Sequence, residues 1–176
     1  MTMIMAGLHR TYVNLLANSN PQLQQEHSAI SLWLGDKLDR RLKKPSKVYF
    51  GLNMGWYWPS IDQDLLDKDY VNAQLKTKEM LAGIESLINS DGSIKERTTR
   101  GDRALWYHMS GLSEIMISME YARALNVNIP SSLETKLHKA VDLFLNGLDD
   151  HLYLDTWASN RHHATYDGTQ DWSDNW

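Results

Sequence analysis

The sequence predicts an all-α fold in which antiparallel helix pairs pack one after another along the chain. Apolar residues recur at helical spacing almost throughout, no stretch alternates as a β-strand would, and short turn signals separate the helical stretches. The 176 residues are enough for one domain with a sizeable core. We therefore predict a single helical domain over residues 1–176, with an irregular, aromatic-rich tail over residues 149–176.

The first half of the chain contains two predicted helices and one irregular stretch. Residues 1–17 are moderately apolar but lack the basic start and compact apolar core of a signal peptide, so we interpret them as a helix of the mature fold. Asn20 followed by Pro21 is typical of a helix start, and a basic run before Pro45 is typical of a helix end. Residues 47–60 show no periodicity and predict an ordered loop or a helix entry.

Three more helical stretches follow. One covers about residues 62–88 with a break near residues 67–69, and a turn signal follows at residues 89–92. The next covers about residues 103–125, with Asp102 as a plausible N-cap, and its predicted apolar stripe is Leu105, Met109, Leu112, Met116 and Met119. Ser131 and Glu134 match a capping box at the start of the last helix. The predicted apolar face of that helix is Leu133, Leu137, Val141, Phe144 and Leu148.

Composition excludes several classes of function. The formal net charge of −4 gives no global basic field, which argues against nucleic-acid binding. The absence of cysteine removes disulfides, thiolate zinc sites and cysteine nucleophiles. No apolar run approaches the ~20 residues that cross a bilayer, so we expect no membrane partner. An acidic polymer could still bind through a local basic cleft.

The aromatic residues are biased towards those with a polar group. Seven Trp and eight Tyr stand against two Phe. Such rings often form platforms for sugars, because a pyranose has an apolar C–H face, but they also serve as core residues whose N–H and O–H groups are satisfied. Composition leaves both interpretations open.

The most informative segment leads into the third stretch of helix. Arg103, Tyr107, Gly111 and Glu114 fall on one stripe of that helix, and Arg100 precedes it. The apolar stripe lies on a different face, so the helix offers a polar line beside its buried side. The alternative is a surface arginine cluster that caps the helix, with a tyrosine packed beside it.

Arginine and tyrosine together suit elimination across a uronic-acid glycosidic bond. That reaction needs the sugar carboxylate neutralised, a base for the neighbouring carbon acid, and an acid for the departing oxygen. Arginine supplies a permanent, fork-shaped cation for a carboxylate. A tyrosine beside cations ionises more readily, and a tyrosinate can act first as base and then, once protonated, as acid.

The same segment resembles the alginate (mannuronate) lyase family, whose fold is an incomplete α/α toroid. The family carries Asp-Gly-x-x-x-x-Glu followed by Arg-Gly-x-Arg-Ala-Leu-His-Tyr-His. The second part here reads Arg100-Gly101-Asp102-Arg103-Ala104-Leu105-Trp106-Tyr107-His108. Trp106 replaces a histidine of that pattern. The resemblance covers roughly residues 25–150, and most firmly residues 90–125.

The resemblance implies a polysaccharide lyase that cleaves an alginate-like polyuronate by β-elimination, without metal or organic cofactor. Tyr107 matches the family's catalytic acid and base, and Arg100 matches a catalytic-site arginine. Substrate-binding candidates are Arg103, Asn53, Tyr57, Trp56, Trp58, Trp106 and His108, although His108 points away from Tyr107 on a helix and is typical of a structural hydrogen bonder. The implied partner is an acidic polysaccharide. The family suggests a secreted or periplasmic protein, although no signal peptide is visible.

Two departures from the family bear on this expectation. An upstream Asn-Asn-His-x-x-Trp pattern reads Asn53-Met54-Gly55-Trp56-Tyr57-Trp58 here, so Met54 and Gly55 replace the pair that contributes carboxylate neutralisation and base chemistry. We also expect a partial toroid, because this sequence shows no match to the helical portion that precedes this region in the family; a fragment, a split or degenerate gene product and a minimal relative all remain open. A partial toroid leaves an apolar helix face open, and a homo-oligomer is one way to cover it.

Other functions remain open at this point. An inactive carbohydrate-binding or structural module on the same scaffold would explain the replaced Asn-His pair. A glycoside hydrolase would need two carboxylates across a cleft, for which Asp62, Asp64 and Glu114 are available. The tail holds Arg161-His162-His163 beside several acidic residues, but no spacing typical of a metal site. Its Trp157, Trp172 and Trp176 could stack on sugar.

Overall fold

Six α-helices hold most of the residues described by the computed structural model, which are residues 2–17, 21–42 and 54–157. They are α1 (Thr2–Ala17), α2 (Pro21–Leu42), α3 (Met54–Leu66), α4 (Tyr70–Leu87), α5 (Ala104–Ala124) and α6 (Ser131–Asp149). Short 3₁₀ helices cover Gly101–Arg103 and His151–Thr156. Across the described ranges the β-type pairing is one isolated bridge between Ile88 and Ile94, which confirms the all-α prediction.

By its internal contacts the chain divides into two compact units. Unit 1 contains α1, α2, α3, residues 70–80 of α4 and residues 121–127. Unit 2 contains residues 81–120 and the described residues from 128 onwards. The single-domain organisation stays a prediction. Within the described ranges, none of the helices combines the length and apolar character needed to span a membrane.

Unit 1 is built from consecutive antiparallel helices. Tyr12, near the end of α1, meets His27, near the start of α2, with 3.1 Å between the phenol oxygen and Nδ1. His27 in turn reaches the carbonyl of Leu66 at the end of α3, while Gly35, later in α2, lies against Gln63. Residue numbers therefore rise along each helix as they fall along its neighbour. Tyr12, Leu34 and Leu66 form the buried cluster between these helices.

Unit 2 packs α5 antiparallel to α6. The buried cluster contains Ala104, Leu105, Leu143 and Leu154, the last from the 3₁₀ helix after α6. A Cβ added to Gly147 would meet Leu105 Cδ1 at 2.7 Å, so the glycine allows the two helices to approach closely. The antiparallel pairs that the sequence predicts are thus present in each unit.

Several local predictions are confirmed and others are wrong. The break near residues 67–69 is present, because α3 ends at Leu66 and α4 begins at Tyr70. Residues 47–60 were expected to form an ordered loop or a helix entry; the described part is helical from Met54, which fits the second alternative, and Pro59 lies inside α3. Proline is compatible with helical φ, but at this position it removes the N–H of one helical hydrogen bond and its ring crowds the carbonyl four residues earlier.

The predicted helix starts and stripes also need correction. The first residue of α6 is Ser131, its N-cap is Pro130, and no side chain caps it, so the predicted capping box is absent. In the predicted stripe of α5, Leu105, Leu112 and Met119 are buried as expected. Met116 is the exception, because it is 45% exposed while the neighbouring Ile115 is buried. In α6 the buried residues are Leu133, Leu137, Ala140, Leu143 and Gly147. The side chain of Asp102 lies outside what the structure describes.

Candidate functional site

The segment between α4 and α5, residues 88–103, carries the candidate site in unit 2. It begins with the Ile88–Ile94 bridge and continues as a series of turns, in which the Thr98 N–H donates to the Ile94 carbonyl at 3.0 Å. The Arg100 N–H donates to the Arg97 carbonyl at 3.2 Å, and the Arg103 N–H to the Arg100 carbonyl at 3.3 Å. The loop therefore winds directly into the first turn of α5.

Glycine allows this loop to lie directly on α6. Gly92 has φ of 93°, a left-handed conformation that favours glycine. A Cβ there would come within 2.5 Å of the Lys139 backbone. Gly101 has φ of 61° and opens the 3₁₀ helix after Arg100. The loop path thus depends on glycine at the contact with α6 and at the entry to α5.

Arg100 lies over the ring of Tyr107. Its guanidinium carbon is 3.9 Å from the ring centroid, and Arg100 is only 3% exposed whereas Tyr107 is half-buried. Burial lowers the pKa of Arg100, and the charge and hydrogen bonding of Tyr107 act in the opposite direction. Arginine stays cationic even so, because its ordinary pKa is far above neutrality. The structure therefore holds a desolvated cation directly beside a phenol.

Arg97 and Glu114 form a second interaction between the loop and α5. Arg97 Nη2 is 2.8 Å from Glu114 Oε1, and the two side chains are 7% and 18% exposed. Burial raises the pKa of Glu114, although its charge interaction and hydrogen bond with Arg97 lower it. Arg97 is also close enough to Arg100 to lower the pKa of that arginine. The two guanidinium groups of this loop thus repel each other, while Glu114 of α5 neutralises Arg97.

His108 has a different place from its neighbour Tyr107. Its Nδ1 is 2.8 Å from the Thr98 hydroxyl, and its Nε2 is 2.8 Å from the Ala140 carbonyl of α6. The side chain is fully buried, and burial lowers its pKa to about 4. Of the two roles that the sequence offers for His108, substrate binding and structural hydrogen bonding, these contacts fit the second: a ring with no exposed surface joins the loop, α5 and α6.

The other predicted binding residues are distributed between the two units. In unit 2, Trp106 is half-buried with its ring edge-on to Tyr107, 4.4 Å between centroids, and Arg103 is exposed. In unit 1, Tyr57 is half-buried in α3, whereas Trp58 is only 4% exposed. A ring that buried is part of the core of unit 1 and offers no platform to a sugar. Asn53 and the side chain of Trp56 lie outside the described residues.

The carboxylates considered for a hydrolase each have a cationic neighbour. Asp62 is fully buried in unit 1, 3.1 Å from Arg10 Nη2, and accepts a hydrogen bond from the Tyr121 hydroxyl at 2.8 Å. The Asp64 carboxylate lies 2.6 Å from the Lys76 ammonium. Glu114, in unit 2, is paired with Arg97. Burial is the largest influence on the pKa of all three acids and raises it.

The described part of the tail folds back within unit 2. Trp157 Nε1–H donates to Asp91 at 3.0 Å, and its ring lies 5.6 Å from that of Tyr153. Both rings line a shallow groove of about 160 Å³ together with Lys139 and Asp142. Trp172, Trp176 and the Arg161-His162-His163 run lie outside the described residues. Among those that are described, no three His, Asp or Glu side chains are grouped to hold a metal ion.

The sequence pattern points to Arg100 and Tyr107 but not to the contacts around them. It gives no role to Arg97 or Thr98, because helical spacing carries no information about which residues of an irregular loop point inwards. Glu114 was placed on the polar stripe of α5, but its arginine partner was not. A signal was nevertheless present: two arginines three residues apart precede a helix with an acidic residue on the same stripe as the tyrosine.

Comparison with known proteins gives one match. A family model described as alginate lyase matches residues 65–153, just over half of the chain. The matched range includes Arg100, Arg103, Trp106, Tyr107 and His108, and it begins after the stretch of residues 53–58. No curated protein and no solved structure matches the chain.

Proposed function

The chain belongs to the alginate lyase family, and from this premise we propose that it cleaves a uronate-containing polysaccharide by β-elimination, with Arg100 and Tyr107 as its reactive residues. One observation carries the proposal: the buried Arg100 guanidinium lies 3.9 Å from the centroid of the Tyr107 ring. This pair combines a carboxylate-binding cation and a proton-transfer group, which are the two functions that the reaction requires.

Arg100 serves to neutralise the uronate carboxylate in this proposal. Withdrawing the negative charge makes the proton on the carbon next to the carboxylate more acidic. A guanidinium suits this task because it donates two parallel hydrogen bonds to a carboxylate, and because a cation acts more strongly at a site from which water is excluded. Arg100 is only 3% exposed, so its cation is largely desolvated, and the substrate carboxylate would have to approach it past the half-buried Tyr107.

Tyr107 moves the proton. Its phenolate takes the proton from the carbon beside the carboxylate, the electron pair of that C–H bond forms the new carbon–carbon double bond, and the bond to the glycosidic oxygen breaks. The resulting phenol then donates its proton to the departing oxygen, which restores the phenolate. No water is consumed, and one fragment ends in an unsaturated uronate that absorbs ultraviolet light.

The remaining candidate residues would bind the polymer. Arg103, exposed in the turn before α5, would meet a second carboxylate, and Trp106 beside Tyr107 would stack on a sugar ring. Asn53, Tyr57 and Trp56 remain candidates from the upstream stretch. The partner is an acidic polysaccharide, and this chemistry needs no cofactor.

The test is an assay for the unsaturated product on a panel of polymers: polymannuronate, polyguluronate, glucuronan, hyaluronan and pectate. We expect absorbance to rise on at least one polymer, and Tyr107→Phe to reduce kcat by about 10²-fold or more, because proton transfer by a positioned side chain contributes that much. Tyr153→Phe, which changes an exposed tyrosine of the same unit, should retain activity. Full activity in Tyr107→Phe would exclude Tyr107 as the acid and base.

An inactive carbohydrate-binding module is the second candidate function. The sequence feature that favours it is Met54-Gly55, which by resemblance stands where the family carries its Asn-His pair. The same panel separates the two functions when binding is followed by isothermal titration calorimetry. Binding of a polymer without unsaturated product would support the binding module, and product formation would exclude it.

A further inference from the structure

The position of Arg100 depends on contacts outside regular secondary structure. It follows α4 by thirteen residues and precedes the first full turn of α5, so no helical hydrogen-bond ladder fixes its backbone. Within the loop the turns run from Ile94 to Arg97 and from Arg97 to Arg100. Because these turns do not fix the orientation of the Arg100 side chain, that orientation depends on the contacts of the neighbouring residues.

Thr98, two residues before Arg100, is held by a buried chain of hydrogen bonds whose directions can be assigned. The Ala140 carbonyl can only accept, so His108 Nε2 carries the proton and donates to it. A neutral His108 then has Nδ1 as an acceptor, and the Thr98 hydroxyl donates to it. The Thr98 oxygen also accepts from the Ile94 N–H at 2.7 Å. Each donor in this series of hydrogen bonds therefore faces an acceptor, from the Ile94 N–H through Thr98 and His108 to the Ala140 carbonyl.

Arg97 holds the loop from the other side. Its 2.8 Å ion pair with Glu114 attaches the loop to α5 two turns beyond Tyr107. Glu114 and Tyr107 are seven residues apart, which places them on the same side of the helix. Glu114, which pairs with Arg97, and Tyr107, which Arg100 covers, therefore lie on the same side of α5.

We propose that Thr98, His108, Arg97 and Glu114 are positioning residues that together hold Arg100 over Tyr107. None of them needs to touch the substrate, since their effect passes through the loop backbone to Arg100. The chain through His108 is neutral and completely buried, and the pair with Glu114 is ionic. This inference rests on the proposed function for its catalytic meaning, but the geometry it describes can be measured without activity.

The test is nuclear magnetic resonance of the Arg100 side chain in the full chain. Protons above an aromatic ring resonate upfield, so we expect upfield-shifted Arg100 δ and ε protons in the native protein. Thr98→Val removes the hydroxyl while keeping the shape of the side chain, and most of this shift should be lost. Thr98→Ser keeps the hydroxyl and should keep the shift. Thr135→Val, at an exposed threonine of α6, is the matched control and should also keep it.

A second variant covers the case in which Thr98→Val does not fold. Glu114→Gln removes the ionic partner at a partly exposed position, and we expect part of the upfield shift to be lost in a protein whose circular dichroism is unchanged. An Arg100 shift that stays native in folded Thr98→Val and in Glu114→Gln would overturn the proposal.

A double-mutant cycle connects the geometry to function. Thr98→Val should lower kcat more than it raises KM in the native background and cause no further loss in an Arg100→Ala background, because the positioned group is then absent. An equal loss in both backgrounds would mean that Thr98 acts on stability alone. If the native protein forms no unsaturated product, the proposed function fails while the Arg100 shift still tests the positioning.

Discussion

Two histidines, one in each unit, have the same hydrogen-bonding arrangement. His27 meets the Tyr12 hydroxyl with Nδ1 and the Leu66 carbonyl with Nε2, and His108 meets the Thr98 hydroxyl and the Ala140 carbonyl in the same way. In each case a carbonyl fixes the tautomer. The two rings differ in burial, since His27 is half-buried and His108 has no exposed surface. Burial therefore makes protonation of His108 costly to the fold.

The depressed pKa of His108 predicts loss of stability in mild acid. A folded pKa of about 4, against about 6.5 for an exposed histidine, means that the unfolded chain binds the proton more readily. The contribution of the neutral ring is complete above about pH 6.5 and is lost progressively as the pH falls to about 4. The total is roughly 3 kcal/mol in the free energy of unfolding. Urea unfolding at intervals across this range measures it.

The control for this prediction is His108→Asn, compared with the native protein at each pH. The buried acids Asp62, Asp64 and Glu114 have raised pKa values and act in the opposite direction, gaining stability on acidification. Their contribution cancels in the difference between the two proteins. A difference that stays constant between pH 4 and 6.5 would contradict the prediction. His138→Asn, at an exposed histidine of α6, should follow the native curve.

At the level of elements, two glycines of unit 2 should respond in opposite ways to the same substitution. Gly92→Ala places a Cβ against the backbone of α6 at a left-handed φ, so we expect it to destabilise the fold by roughly 2 kcal/mol or more. Gly83→Ala lies within α4, where an added Cβ meets no other atom within 4 Å. It should stabilise the fold by about 0.5–1 kcal/mol, because alanine is the better helix former.

Denaturant unfolding of both variants gives the two changes in one experiment. Gly92→Ala should also displace the Ala140 carbonyl and thereby the His108 ring, which the imidazole resonances report. Equal changes in the two variants, or a stable Gly92→Ala protein, would mean that the loop does not lie against α6 as described.

The sequence predicts the existence of the helices better than their exact faces. Periodicity identified α2, α4, α5 and α6 within a few residues, because apolar spacing reports which side of a helix is buried. It placed Met116 in the core by its type, yet Met116 is 45% exposed and Ile115 is buried. The two residues are adjacent, and composition alone does not decide between neighbouring apolar side chains. The capping box failed because Pro130 already gives the backbone an extended entry to α6.

At the level of the whole molecule, charge sets an expectation about binding. The chain carries a net charge of −4, and the proposed substrate is a polyanion. Binding then relies on local cations such as Arg100 and Arg103 against a long-range repulsion. Salt screens interactions beyond a Debye length, which is ~30 Å at 0.01 M and ~8 Å at 0.15 M, more than it screens contacts inside a site.

We therefore expect KM for the polymer to fall between about 0.01 M and about 0.15 M salt, because screening removes repulsion before it weakens the contacts. Initial rates of formation of the unsaturated product, measured at constant pH and several salt concentrations, give KM. A steady rise in KM over the same range would indicate that binding is dominated by an extended basic surface. A short uronate oligomer provides the comparison, since it carries less charge and should depend less on salt.

Arg100 and Tyr107 can be proposed from the sequence because their residue types suit the chemistry and because they stand in a recognisable family pattern. The family match covers both residues, and their roles stay a prediction. Arg97, Thr98 and His108 act through burial and through contacts with Glu114 and α6, and those depend on tertiary packing. The homo-oligomer stays a prediction. It would cover exposed apolar side chains of unit 1 such as Leu32 and Val71, which are each 77% exposed.

The loop over residues 88–103 has a consequence for how its length can vary. Surface loops usually accept inserted or deleted residues, because their backbone contacts little beyond water. This loop contacts α6 at Gly92, His108 through Thr98, and α5 through Arg97. If one residue were inserted between Gly92 and Arg100, the contact at Gly92 and the contacts at Arg97 and Thr98 could not all form at the same time. We therefore expect engineered variants of this loop to tolerate exchanges of residue type on its outer surface far more readily than changes in the number of its residues.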